Sequence, residues 1–78
     1  MPSPNTIEKN EFTNKVALEI QKLRKSKKIS QEELAEKANL NTSYIGHLER
    51  GLYSPTLYVM WKIAKALKVT LSDLTKGI

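Results

Sequence analysis

The chain is 78 residues long, sets 13 lysines and arginines against 8 acids for a net charge of +5, and has no cysteine. Such a length supports one small core that buries about 60% of the unfolded surface, and without a thiol there is neither a disulfide staple nor a thiolate metal site. The longest strongly apolar cluster, Leu57 to Trp61, is far too short for a bilayer, and no apolar leader opens the chain, so a cytoplasmic protein with no membrane role is expected.

Residues 1 to about 7, with Pro2 and Pro4 and no apolar period, read as a loose arm ahead of a single domain over 8–78. Phe12, Val16, Ile20 and Leu23 then follow at helical spacing with Ala17 beside them, which predicts a first helix ending near Lys27. Five cations, Lys22, Arg24, Lys25, Lys27 and Lys28, stand together without an acid, a surplus equal to the whole net charge. They would attract a polyanion such as DNA. They would equally suit the negative end of a helix dipole on any solvated surface, and both readings stay open at this point.

Two short helices joined by a tight turn follow, from Ser30 to Gly51. Ser30 and Glu33 have the spacing of a capping box, in which the hydroxyl takes the Glu33 N–H and the carboxylate reaches back to the Ser30 N–H. Leu34, Ala35 and Ala38 give that helix one apolar side, and Asn39 stands where a left-handed residue would end it. Leu40 then plugs the turn. Asn41 can cap a second helix over Thr42 to Arg50, with Ile45 and Leu48 inward and Gly51 as the left-handed stop. Thr42, Ser43, Gly46, His47 and Arg50 remain on its outer face. This is the layout of a helix-turn-helix, whose second helix can enter the DNA major groove.

A fourth helix opens at Thr56 or, with Pro55 in its first turn, at Ser54. Leu57, Met60, Ile63, Ala64 and Leu67 are expected on its core face, widened by Val59 and Trp61, with Tyr58 as a further large side chain. Thr70 and Asp73 can cap a short last helix carrying Leu71 and Leu74, with Ile78 beyond. So small a domain is not expected to cover all of these apolar residues, so Leu71, Leu74 and Ile78 are assigned to a dimer interface that Leu52 and Tyr53 could join.

Chemistry of the catalytic kind finds no support. His47 is the one histidine, no cysteine can pair with it, and neither a nucleophile elbow, a phosphate-binding glycine loop nor a two-histidine metal spacing is present. Glu32 and Glu33 adjoin, but neighbours on a helix diverge by about 100° and cannot share a reacting centre. No enzyme, cofactor or metal is expected.

Leu23-Arg24, Ile29-Ser30-Gln31-Glu32-Glu33-Leu34-Ala35, Tyr44-Ile45, Leu48-Glu49-Arg50-Gly51, Ser54-Pro55-Thr56-Leu57 and Lys62-Ile63-Ala64-Lys65-Ala66-Leu67 stand at fixed spacings over most of the chain. Together they resemble the lambda-repressor-like helix-turn-helix family, the Cro and XRE-type bacterial and phage regulators, including the small controller proteins of restriction–modification systems. The resemblance implies an all-α, compact five-helix domain that binds double-stranded DNA, usually as a homodimer on a palindrome. It implies a structural ion pair between Arg24 and Glu49 and a phosphate contact from Gln31. It also marks a departure, since Lys28 stands where the family usually has glycine; in a left-handed conformation it would carry about 1 kcal/mol of strain.

Base reading then falls to Thr42, Ser43 and His47, with Gly46 bare so that the helix can lie close to the groove. Thr42 can offer a thymine its methyl, and His47 can donate to guanine N7 or O6. Tyr44 and Arg50, at the edges of that face, are expected at phosphate or sugar. Each has a plainer role as well: Thr42 and Ser43 are ordinary residues for a helix start, and a lone exposed histidine is usually inert. A repressor is the simplest outcome, with autoregulation, activation through RNA polymerase contact, and an antitoxin-type regulator of the same fold as alternatives. The rival from another class is a protein-interaction module that uses the Tyr58–Trp61 edge.

Overall fold

Five helices follow one another in this computed structural model, which describes residues 4–76 and 78, with side chains from residue 8 onward. Helix α1 (Pro4–Ser26) begins inside the 1–7 stretch expected to be a loose arm, with proline at a first helical position where its fixed φ is favourable. Residues 1–3 of that stretch lie outside the described residues. Lys28, just past the helix, has φ 58°, so the lysine does occupy the left-handed position that the resemblance assigned to glycine.

Helices α2 (Gln31–Ala38) and α3 (Thr42–Glu49) are bounded by their own side chains. Ser30 and Glu33 form the reciprocal capping box, at 3.0 Å for the Glu33 N–H and 3.2 Å for the Ser30 N–H. Asn39 at φ 55° ends α2. Two residues later the Asn41 side-chain oxygen accepts the Ser43 N–H at 2.8 Å and starts α3. Gly51, at φ 73°, turns the chain away after α3.

Helix α4 (Leu57–Leu67) is capped by Thr56, and α5 (Leu71–Leu74) by a second capping box between Thr70 and Asp73. Both hydrogen bonds to Thr70 hold the Asp73 carboxyl below the usual carboxylate range. The cap's contribution is therefore present above the ordinary aspartate pKa and is lost as pH falls through the depressed one.

Every helix except α5 brings more than one residue to a single core: Val16 and Ile20 from α1, Leu34 and Ala35 from α2, Ile45 and Leu48 from α3, and Met60, Ile63, Ala64 and Leu67 from α4. Each large aliphatic side chain so buried contributes about 1.5–3 kcal/mol. Helix α2 packs on α3 and α4, and α5 packs on α4 and α1. That last contact corrects the sequence-based assignment of Leu74, which is 0% exposed and belongs to this core rather than to a surface. Leu71 is half-buried against the same core, which leaves Ile78 as the exposed member of the expected interface. Leu57 also departs from expectation: it sits at the open first turn of α4 and is 71% exposed. No described helix is long and apolar enough to cross a membrane.

Leu74→Ala should lower the unfolding free energy by about 2–5 kcal/mol in urea denaturation. A variant as stable as the parent, with only its oligomeric state changed, would return Leu74 to an interface.

Candidate nucleic-acid interface

The back of α3 is fastened by charge as well as by apolar contact. Glu49, its last residue, has a side chain only 3% exposed, so its carboxylate requires partners to offset lost hydration. Arg24 of α1 supplies two, through Nε to Oε2 at 2.6 Å and Nη2 to Oε1 at 3.0 Å. The third guanidinium nitrogen donates to the Ile29 carbonyl at 2.9 Å. Hydrogen bonding to Glu49, opposed by burial, raises the arginine's pKa further, so the guanidinium stays charged at any ordinary pH. Gln31 of α2 donates its amide to Glu49 Oε1 at 3.0 Å, and Gln21 of α1 donates to the Glu49 backbone carbonyl. Three segments thus meet on one glutamate.

With Ile45, Leu48 and Glu49 turned inward, the opposite side of α3 faces solvent. Thr42, Ser43 and Arg50 are exposed and His47 is partly so. They line a shallow groove of about 330 Å³ together with Gln31 and Gly46, so six of the seven residues expected at DNA are brought together. Gln31 therefore both braces Glu49 and borders the groove. A Cβ added to Gly46 would meet only the Gln31 side-chain oxygen, at 3.7 Å, which is ordinary contact; the fold does not require glycine here, and its effect is to keep this face low.

Tyr44 points elsewhere. Its ring stacks on Tyr53 of the α3–α4 loop with centroids 5.9 Å apart, and it borders a separate recess with Lys9, Asn10 and Thr13 of α1. Burial, with Tyr53 adding to it, raises the Tyr44 pKa, so the phenol is a neutral donor at physiological pH. Tyr53, which the sequence offers only as a residue that could join a dimer surface, lies against His47 with centroids 5.2 Å apart, and no periodicity places a loop residue against a helix face. His47 also bonds through Nδ1 to the Ser43 carbonyl oxygen one turn earlier.

Of the five clustered cations, Arg24 is consumed by Glu49, while Lys22, Lys25, Lys27 and Lys28 are exposed around the end of α1. Among the described residues no cluster of histidine and acidic side chains could hold a metal ion.

Residues 20–74 match the model of the helix-turn-helix family HTH_3, and the chain belongs to that family. It is 42% identical over 57 residues to the immunity repressor protein of Bacillus phage phi105, a match covering 73% of this chain but 40% of the repressor; the chain thus spans about two fifths of that relative. The fold is similar to the restriction–modification controller protein C.AhdI from Aeromonas hydrophila, with TM-score 0.78 and 35% identity over 80% of this chain and 94% of the other. It is also similar to the controller protein C.Esp1396I, solved as a tetramer with its natural 35 base-pair operator, with TM-score 0.73 and 32% identity over 83% and 96% of the two chains.

Arg24→Ala would leave Glu49 buried with Gln31 as its remaining side-chain donor, and should cost about 3–5 kcal/mol of stability in urea denaturation. Arg24→Lys should recover little of that, because an ammonium cannot reproduce the two-point contact; full recovery would reduce the pair to a simple matter of charge.

Proposed function

We propose that this protein is a sequence-specific DNA-binding transcription regulator that lays α3 into the major groove. The observation that carries this is the outer face of α3, where Thr42, Ser43, Gly46 and His47 form a low polar surface free of core duties, backed by a firmly fixed inner face. A helix with its side chains is about 10–12 Å across, and the major groove is about 12 Å wide. Membership of the helix-turn-helix family, and likeness to a controller protein solved on its operator, support the same reading.

In this mechanism the exposed lysines at the end of α1 supply attraction that is indifferent to sequence. Gln31, at the first position of α2, meets a phosphate with its remaining amide hydrogen, helped by the free N–H groups of the helix start. Tyr44 and Arg50 meet phosphate or sugar at the two edges of α3. Thr42, Ser43 and His47 reach base edges. Two copies on a palindrome would place their α3 helices in successive major grooves, about 34 Å apart, with Ile78 and Leu71 at or near the contact between copies. Blocking access to a promoter would make it a repressor. Where it activates instead, as a restriction–modification controller can, contact with RNA polymerase is the added step.

A second reading has its own observation. Tyr58 and Trp61 are exposed and stacked, with centroids 6.0 Å apart, and Lys62 and Lys65 sit over their rings. On that reading the domain is an interaction module and DNA contact is incidental. Ser43→Ala with His47→Ala separates the two: the double variant should keep its fold and oligomeric state and lose specific retardation of a promoter fragment. If regulation survives that change, the interaction module is correct.

Binding should also be steeply dependent on salt. A dimer making about six phosphate contacts loses about a thousandfold in affinity between roughly 50 and 200 mM salt. Salt-insensitive retardation in a titration of purified protein would count against the whole mechanism.

A further inference from the structure

The contacts of His47 fix what its ring can offer a base. A carbonyl oxygen can only accept, so the bond from His47 Nδ1 to the Ser43 carbonyl requires the hydrogen on Nδ1. In a neutral imidazole the other nitrogen, Nε2, then carries a lone pair and accepts. Tyr53 holds the ring in place: the two centroids are 5.2 Å apart at 32°, and Tyr53 is itself stacked on Tyr44 at 25°. The loop that delivers Tyr53 is tied back onto α3 by Gly51 N–H to the Leu48 carbonyl and Leu52 N–H to the His47 carbonyl, both at 3.0 Å. His47 is thus braced from its own helix and from a different segment, while still lining the groove with Thr42 and Ser43.

We infer that neutral His47 reads DNA as a hydrogen-bond acceptor, and selects a base that presents an amino group in the major groove, with Tyr53 as the positioning residue that holds the ring. This rests on the proposal that α3 occupies that groove. Guanine presents two acceptors there, N7 and O6, and thymine presents O4, so each would set lone pair against lone pair. Cytosine presents N4–H₂ as a donor. Adenine presents N6–H₂ beside the N7 acceptor, and a lone acceptor leaves that N7 unanswered, so cytosine ranks ahead of adenine. Donation to guanine, the expectation from sequence, belongs to the imidazolium form and to a ring whose Nδ1 is not already committed.

The test is selection of bound duplexes from a random pool with the full chain in mildly alkaline buffer. One position of the half-site should favour cytosine, then adenine, by about tenfold over guanine. His47→Ala should flatten that position alone, and His47→Arg, a pure donor, should turn it to guanine. Tyr53→Ala should weaken the preference there and Tyr53→Phe should restore it, with thermal unfolding confirming that each variant is folded. Guanine at the position that His47→Ala flattens would overturn the inference, as would a selected site indifferent to His47 while DNA binding persists. Enrichment of no duplex at all would overturn the DNA-binding proposal itself, and this inference with it.

Discussion

The ion pair between Arg24 and Glu49 is the constraint on which the rest of the molecule depends. It is the one salt bridge found among the described residues, and it joins the first helix to the last residue of α3 with both partners largely out of water. A buried charge without its partner is costly, whereas a satisfied pair adds little stability beyond what an apolar pair of the same shape would give. Its effect here is therefore one of geometry. Glu49 gathers Arg24, Gln31 and, through its backbone, Gln21, and no other rotation of α3 would satisfy all of them.

Once α3 is fixed in rotation, its two faces have separate duties. Ile45 and Leu48 join the core at 0% and 1% exposure, and every residue between them in the helical cycle is released to the surface. The turn ahead of α3 is held in the same spirit: Lys62 of α4 donates to the Asn39 carbonyl at 3.1 Å, and the Leu40 N–H bonds back to the Ala35 carbonyl at 2.8 Å. Rigid presentation matters for base recognition, because a side chain that must be ordered on binding loses part of its contact energy to entropy. Gln31 links the two faces, since it touches the anchoring glutamate and borders the outer groove.

The aromatic run from Tyr44 through Tyr53 to His47 is the second brace, and it comes from the loop rather than from the helix pair. It takes Tyr44 partly off the outer face and holds His47 on it. The two residues sit three apart on one helix, yet the loop assigns them different surroundings. The positive patch is divided in a comparable way: one of its five cations is turned inward, and the four lysines stay with solvent.

Local order was legible from residue types at fixed spacings. Ser30 with Glu33, Asn39, Asn41, Gly51, Thr56 and Thr70 with Asp73 announce helix ends, because a cap needs only a side chain and a backbone group within one turn of each other. The family pattern led to the Arg24–Glu49 pair although 25 residues separate the partners. Packing between segments was not legible in the same way. Leu74 looked surplus to a small core until α5 folded back onto α4 and α1, and Leu57 looked like core until the helix start left it at an open turn. Tyr53 and the hydrogen on His47 Nδ1 were out of reach, since each depends on which groups a loop or a preceding carbonyl places beside them. Residue types at fixed spacings set the helices, their ends other than the start of α1, and the residues on the outer face of α3; which of those the loop braces was decided in three dimensions, because such a brace is a contact between segments that no local pattern encodes.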